Sequence, residues 1–154
     1  MSITITEERP DSADAMQLIA ELQTHLNPDL YPPESRHGFS VEKLLREGVV
    51  FFVTRHDEVP AGCGGIKLFG TDYGEVKRMY VRPQFRRLGL GKFMLDHLTA
   101  YARERQILTL QLETGIYQTE AIRLYERCGF KRRAPFGEYK DDPMSIYFEK
   151  RLME

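Results

Sequence analysis

The chain has 154 residues, a formal net charge of −1, 42% hydrophobic residues and 29% charged residues. This composition is ordinary for a soluble globular protein, and we expect one domain with a real core, spanning residues 1–154. The near-neutral charge gives no electrostatic reason to expect a nucleic-acid partner. No apolar run approaches the roughly 18 residues that would span a bilayer, so we expect no membrane partner. The first residues lack a signal-peptide pattern, which predicts a cytoplasmic protein.

The two cysteines, Cys63 and Cys128, lie far apart in the sequence. Their spacing matches neither a disulfide framework nor a zinc site, so we expect no metal. Cys128 also has no accompanying histidine in the sequence to activate it. We therefore interpret it as a small packed residue and not as an acyl-cysteine nucleophile.

The first half of the chain predicts a strand and two helices, followed by three hairpin-connected strands. Alternating Ile3 and Ile5 indicate a strand, and apolar residues at helical spacing indicate a helix over 13–26. Three prolines keep residues 28–40 irregular, in a loop that concentrates polar and aromatic side chains. The other predicted elements are a short helix over 41–47 and strands over Val49–Arg55, Val59–Phe69 and Tyr73–Val81.

The second half alternates helices with strands. An apolar face with a period of 3.6 residues predicts a helix that contains Leu90, Phe93, Met94, His97, Leu98, Tyr101 and Ala102. We interpret His97 on this face as a packed, hydrogen-bonded core residue. A strand over Leu108–Glu113 then implies a parallel crossover. The last predicted elements are a helix over Thr119–Arg127 ended by Gly129, strands over Phe130–Arg132 and Met144–Lys150, and a loop over 134–143.

A glycine-rich loop joins the strand that ends at Val81 to the helix that follows. It has the pattern Arg-x-x-Gly-x-Gly, filled by Arg86, Gly89 and Gly91. The dinucleotide-binding and P-loop patterns do not fit, because Met94 stands where a third glycine would be needed and no Ser or Thr follows Lys92. Backbone N–H groups at a helix start can hold an anion, so the loop predicts a pyrophosphate site. From spacing alone, a glycine-rich turn with solvated arginines is an equal alternative.

Two segments of the chain together resemble the GNAT superfamily of acetyl-CoA-dependent N-acetyltransferases. The first is the run from Glu75 to Gly91, and the second is the run from Ala121 to Phe130. The resemblance implies an α/β (α+β mixed) fold with a mostly antiparallel mixed sheet of about six or seven strands and about four helices. It also implies that the sheet splays open between the strand ending near Val81 and the strand near Leu110, and that acetyl-CoA lies in this opening.

The resemblance assigns cofactor contacts to individual positions. The backbone of Met79 and Val81, with Tyr80 between them, would line the pantetheine arm like an added strand. The pyrophosphate would be held by Arg86, Arg87, Leu88, Gly89, Leu90, Gly91 and Lys92. Many members have an asparagine facing the pantetheine three residues before the position of Ala121, where this chain has Gln118.

Attack of an amine on a thioester needs a proton acceptor near the amine and a proton donor near the departing thiolate. By resemblance, Tyr125 is the donor and Glu75 is the acceptor. The alternative for Tyr125 is a core tyrosine on an apolar helix face. The alternative for Glu75 is an exposed strand glutamate paired with Lys77 or Arg78.

The predicted function is transfer of acetyl from acetyl-CoA to a primary amine of a small metabolite by direct attack, with an amino-acid-like acceptor as one option. Candidate acceptor contacts are Tyr31, Arg36, His37, Arg78 and Tyr139. Either arginine could bind a carboxylate of the acceptor. Two alternatives stay open, namely a protein lysine or N-terminal acetyltransferase and a non-catalytic acyl-CoA-binding sensor. The final strand and the loop before it are a candidate homodimer contact.

Overall fold

The computed structural model describes residues 2–35 and 40–152 of the chain. Its strands are β1 (Ile3–Glu8), β2 (Val50–His56), β3 (Val59–Phe69), β4 (Tyr73–Val81), β5 (Thr109–Gly115), β6 (Lys131–Arg133) and β7 (Ser145–Arg151). Its α-helices are α1 (Ala13–His25), α2 (Val41–Arg46), α3 (Leu90–Glu104) and α4 (Thr119–Arg127). Single turns of 3-10 helix lie at Pro28–Leu30, Pro33–Ser35 and Pro83–Phe85.

The seven strands form one sheet in the order β1-β2-β3-β4-β5-β7-β6. All neighbouring pairs are antiparallel except β4 and β5, which are parallel and joined through α3. The predicted meander over β2, β3 and β4 and the predicted parallel crossover are therefore both confirmed. The mixed α/β fold with six or seven strands and four helices is confirmed as well for the part of the chain that the structure describes.

Each face of the sheet carries its own apolar core. On one face, α3 and α4 cover residues of β3, β4, β5 and β7, including Ile66, Val76 and Leu110. On the other face, α1 and α2 cover residues of β2, β3 and β4, including Phe51 and Tyr80. The sheet is thus a middle layer between two helical layers, as the burial of both faces of its central strands requires.

The buried stripe of α3 differs from the sequence prediction. Leu95 and Thr99 are buried, whereas Phe93 is 41% exposed. On a helix, Leu95 and Thr99 lie on one side of the Leu90–Met94–Leu98–Ala102 row and Phe93 lies on the other side. The side with Leu95 and Thr99 is therefore buried, and the side with Phe93 is exposed to solvent. His97 lies edge-on to Phe52 with ring centroids 4.6 Å apart, and no hydrogen bond to it occurs within residues 2–35 and 40–152. Its expected packing is present without the expected hydrogen bond.

Two local features of β4 shape the middle of the sheet. Cys63 pairs with Tyr80 and Gly65 pairs with Lys77, so two residues of β4, Arg78 and Met79, stand opposite the single residue between Cys63 and Gly65. This is a β-bulge, and Arg78 in it has a left-handed backbone with φ +55°. The helices found in the described ranges include none that is long and apolar enough to cross a membrane.

Candidate active site

The sheet opens between β4 and β5. The two strands pair only at Tyr73–Thr109, Gly74–Leu110 and Glu75–Gln111, and from Val76 onward they separate. The facing edges beyond that point carry backbone N–H and C=O groups that an extended ligand can pair with as an added strand. The predicted splay in the sheet is therefore present, beside Met79 and Val81.

The loop after β4 ends at the first turn of α3. Arg87 and Gly89 have φ values of +67° and +79°, and Gly89 is the N-cap residue without a side chain to cap the helix. The first N–H groups of a helix have no partner within it, and those of α3 directly follow a loop that contains Arg86 and the exposed Arg87. These features fit a pyrophosphate of acetyl-CoA. Leu88 is 44% exposed at the tip of the same loop.

The basic side chains of this loop are held by neighbouring elements. The Arg86 guanidinium donates from Nε to the Val81 carbonyl at 3.1 Å and lies 3.4 Å from the Glu120 carboxylate of α4. Lys92 pairs with Asp96 one turn along α3, at 2.7 Å. Arg86 therefore connects its loop to the end of β4 and to the start of α4.

Gly91 has a packing role. A Cβ atom at this position would lie 2.7 Å from Cδ2 of Leu124, so the glycine allows α3 to approach α4 closely. The two glycines of the motif thus have different structural roles. Gly89 adopts a left-handed backbone conformation, and Gly91 allows α3 and α4 to pack closely. Gly91 therefore has a packing role as well, and its predicted contact with the pyrophosphate stays a prediction.

Tyr125 lies on the buried side of α4. Its side chain contacts Phe130 and Phe148, with ring centroids 5.7 Å and 6.0 Å away, and it is 6% exposed. Burial raises the pKa of the Tyr125 phenol well above its usual range, so the hydroxyl keeps its proton at neutral pH. Among the described residues, no hydrogen bond engages this hydroxyl, which leaves its proton available to a ligand.

Glu75 is buried in a polar network and is not the exposed strand glutamate of the alternative interpretation. It is 4% exposed, and its Oε2 atom accepts from Lys77 Nζ at 2.8 Å and from the Tyr139 hydroxyl at 2.6 Å. Burial lowers the pKa of Lys77, and the Glu75 charge opposes this shift. Burial and then the Glu75 charge raise the pKa of Tyr139 far above its usual range, so Tyr139 remains a donor.

Tyr31 connects the loop after α1 to the start of α4. Its hydroxyl accepts from the Tyr117 backbone N–H at 3.0 Å and from Nε2 of Gln118 at 3.3 Å. Gln118 also donates to the Leu26 carbonyl at 3.4 Å. The Gln118 amide, expected at the pantetheine, is therefore already tied to the acceptor-side loop. Arg36 and His37, the other candidates from this loop, lie outside the described residues.

The match to a family model decides the class of protein. The model described as acetyltransferase (GNAT) family matches residues 18–130. The chain belongs to the GNAT family. It is 41% identical over 152 residues to the IAA acetyltransferase of Azospirillum brasilense, across 98% of this chain and 99% of that protein.

Solved structures of GNAT proteins superpose over nearly the whole chain. A candidate acyl-CoA N-acyltransferase from Klebsiella pneumoniae is 37% identical, with a TM-score of 0.82 and 98% of each chain covered. The PaiA N-acetyltransferase from Thermoplasma acidophilum, solved in complex with coenzyme A, shares the fold at 22% identity, with a TM-score of 0.79 and 98% and 99% of the two chains covered. The GNAT chain described here is thus an acetyl-CoA-dependent N-acetyltransferase.

Sequence reasoning missed two parts of this GNAT site. Lys77 was considered only as a surface partner of Glu75. Residues two apart on a strand share a face, so the Glu75-Lys77 spacing could have predicted a buried pair. Gln111 pairs across the parallel ladder with Glu75, and its buried Oε1 atom has no partner within the described residues. No local pattern distinguishes Gln111 from an ordinary strand residue, because its position beside Glu75 depends on the parallel register.

Proposed function

We propose that this GNAT enzyme transfers acetyl from acetyl-CoA to a primary amine of a small metabolite by direct attack. The observation that supports the proposal is that Glu75 lies on β4, where the opening begins, and that Tyr125 packs over β7, the neighbour of β5. Glu75 lies on β4 at the last paired position before the strands separate. Tyr125 packs on Phe148 of β7, which pairs with Leu112 of β5. We also infer that residues 1–154 act as one acetyltransferase domain.

In the proposed reaction, acetyl-CoA supplies the acetyl group as a thioester. The neutral amine nitrogen forms the new C–N bond, the C–S bond breaks, and the electron pair stays on sulfur. The Glu75 carboxylate accepts the proton that the amine loses, directly or through one water. Tyr125 gives its hydroxyl proton to the departing thiolate, since burial keeps this phenol protonated at neutral pH and no described residue competes for its hydroxyl. The Tyr139 hydroxyl and Lys77 hold the Glu75 carboxylate in place.

The loop over 134–143 lies against Glu75, which favours a small-molecule acceptor and not a protein acceptor. The loop over 134–143 is anchored by Phe136, which is 6% exposed and packs against Tyr73, Tyr139 and Tyr147. Through Tyr139 the loop reaches Glu75 itself. An extended peptide needs an open groove, whereas this loop restricts access to Glu75 from one side.

The proposal is tested by release of CoA thiol with a panel of primary amines, using wild type, Tyr125→Phe and Glu75→Gln. Loss of a general acid or base costs on the order of 10²-fold or more in kcat, and we expect at least that for each variant. Tyr101→Phe is the matched control, because Tyr101 packs on Phe52 away from the opening. Calorimetry should give unchanged acetyl-CoA binding for all variants.

The outcomes separate the alternatives. A Tyr125→Phe enzyme with the kcat of wild type would remove Tyr125 from the proposed mechanism. Turnover on peptide amines that exceeds turnover on every small amine would favour the protein acetyltransferase. Tight binding of acetyl-CoA without turnover on amines or peptides would favour the sensor. A homodimer through β7 and the loop before it is a separate proposal, which sedimentation of the purified chain tests.

A further inference from the structure

Arg78 has a backbone conformation that its position in a strand does not explain. It lies in the β4 bulge with φ +55°, in the left-handed region that non-glycine residues seldom adopt. Such conformations persist where the surrounding structure imposes them, and they cluster at ligand sites. The bulge gives this side chain a direction that a regular strand would not give it.

The Arg78 guanidinium is a half-buried cation without an anionic partner. Its Nη2 atom donates to Oε1 of Gln23 in α1 at 3.1 Å, while its Nε atom is buried without any partner. Within residues 2–35 and 40–152 no carboxylate pairs with it. Burial lowers the pKa of Arg78, and no carboxylate opposes that effect.

Two other partly buried arginines of the same chain provide a contrast. Arg55 pairs with Glu8 and, at 2.8 Å, with Asp14. Arg82 donates from Nε and Nη2 to the two carboxylate oxygens of Glu21, at 2.9 Å and 2.7 Å. A buried guanidinium is costly without an anionic partner, and of these three arginines Arg78 is the one that lacks a carboxylate within the described residues.

Arg78 and Glu75 face the same helical layer. Arg78 reaches Gln23 of α1. Glu75 pairs across the sheet with Lys67, which bonds to Glu47 at the end of α2 at 2.6 Å. The two residues are three positions apart on β4, which places their Cα atoms about 10 Å apart at most. That distance is one that a single small acceptor carrying an amine and a carboxylate can bridge.

We infer that Arg78 binds a carboxylate of the acceptor, so that the acceptor is an amino acid or an amino-acid-like amine. This inference rests on the proposed function and adds the substrate class. A guanidinium suits this task because its planar fork of donors matches the two oxygens of a carboxylate. The cations proposed for the phosphates of acetyl-CoA are different residues, namely Arg86, Arg87 and Lys92 near the start of α3.

The test compares acceptors that differ only in charge. The panel contains α-, β- and γ-amino acids and, for each one, the carboxamide that keeps the same amine. The measured quantity is the ratio of kcat/KM for the acid to kcat/KM for its amide. We expect the best acid to exceed its amide by about 10- to 100-fold in wild type, and Arg78→Gln to bring this ratio to near one. Arg123→Gln, on the exposed side of α4, should keep the wild-type ratio.

A binding measurement keeps this result distinct from the proposed function. Calorimetry titrates the same acids and amides into wild type and Arg78→Gln, each checked for folding by circular dichroism, and the uncharged variant Arg78→Met serves if Arg78→Gln does not fold. Binding of acids over amides that disappears in the Arg78 variant supports the inference, even if no acetyl is transferred and the proposed function fails. Equal binding of acids and amides in wild type, no binding of either, or a preference that survives in the variant would overturn it.

Discussion

Gly115 is the position where one added methyl group should disturb the acceptor side most strongly. A Cβ atom there would lie 2.1 Å from the Tyr31 hydroxyl oxygen, 2.5 Å from Cζ and 2.9 Å from Cε1. The φ angle of Gly115 is outside the left-handed region, so alanine has no backbone strain of its own. A tyrosine ring cannot bend, so Gly115→Ala must move the whole Tyr31 side chain.

The decrease in the free energy of unfolding caused by Gly115→Ala can be worked out from the hydrogen bonds and the burial of Tyr31. Its hydroxyl accepts from the Tyr117 N–H and from the Gln118 amide, and each such bond contributes about 1 kcal/mol. The ring is 7% exposed, and losing part of its burial costs about 1–2 kcal/mol more. We expect a total of about 2–4 kcal/mol, or roughly 5–15 °C in Tm for a chain of this length.

A double-mutant cycle with Tyr31→Ala measures this clash by thermal or urea unfolding. If the cost arises from Tyr31, Gly115→Ala should cost less than about 1 kcal/mol in the Tyr31→Ala background, which is a coupling of about 1–3 kcal/mol. Gly91→Ala is the control, since its Cβ would meet Leu124 and not Tyr31, so its cost should be the same in both backgrounds. Equal costs of Gly115→Ala in both backgrounds would refute the reasoning.

Three further predictions concern charged groups. The Arg82 guanidinium holds the pKa of Glu21 at about 2, below its ordinary 4.5. This partly exposed pair contributes about 1–2 kcal/mol to the free energy of unfolding. The contribution is present above pH 4.5 and is lost as pH falls toward 2. Glu21→Gln should therefore lower Tm at pH 7 and leave it unchanged at pH 2. Lys77→Met should cost about 3–5 kcal/mol in urea unfolding, because it leaves the Glu75 charge buried and unpaired, and a loss below 1 kcal/mol would contradict this. Arg78→Gly should be more stable than Arg78→Ala by about 1 kcal/mol, since φ is +55°, and equal Tm values would argue against a strained backbone.

Local sequence patterns predicted most of the elements, because those elements depend on short-range chemistry. The bounds of β3, β4 and α4 agree with the prediction, since turn residues at Gly70-Thr71-Asp72 and a C′ glycine at Gly129 mark their ends. Leu108 was wrongly included in a strand. It is 47% exposed and precedes β5, because its backbone N–H bonds to the Thr71 carbonyl in a loop contact that no alternation of residues reveals.

The candidate site was predictable only in part, because its contacts join distant segments. The glycine loop and Tyr125 follow from two motifs, and their cofactor and catalytic roles stay predictions. The burial of Glu75 depends on Tyr139, which lies 64 residues away. The fit of Tyr31 over Gly115 likewise joins separate loops. Such contacts arise from register and loop paths, which periodicity does not encode.

The β4 bulge explains how one strand can serve both helical layers near the opening. Residues three apart on a regular strand point to opposite faces, so Lys77 and Tyr80 would be separated by the sheet. Their partners across the ladder, Gly65 and Cys63, are two apart and share a face. The extra residue therefore keeps both side chains toward α1 and α2. It also lets Met79 approach Gly64 and Met94 on the α3 side, since a Cβ at Gly64 would lie 2.8 Å from each of these methionines. Arg78 is the residue that this register shift adds, and it is the one whose guanidinium lacks an anionic partner within the described residues. The bulge in β4 thus presents the cation that is proposed to select the acceptor.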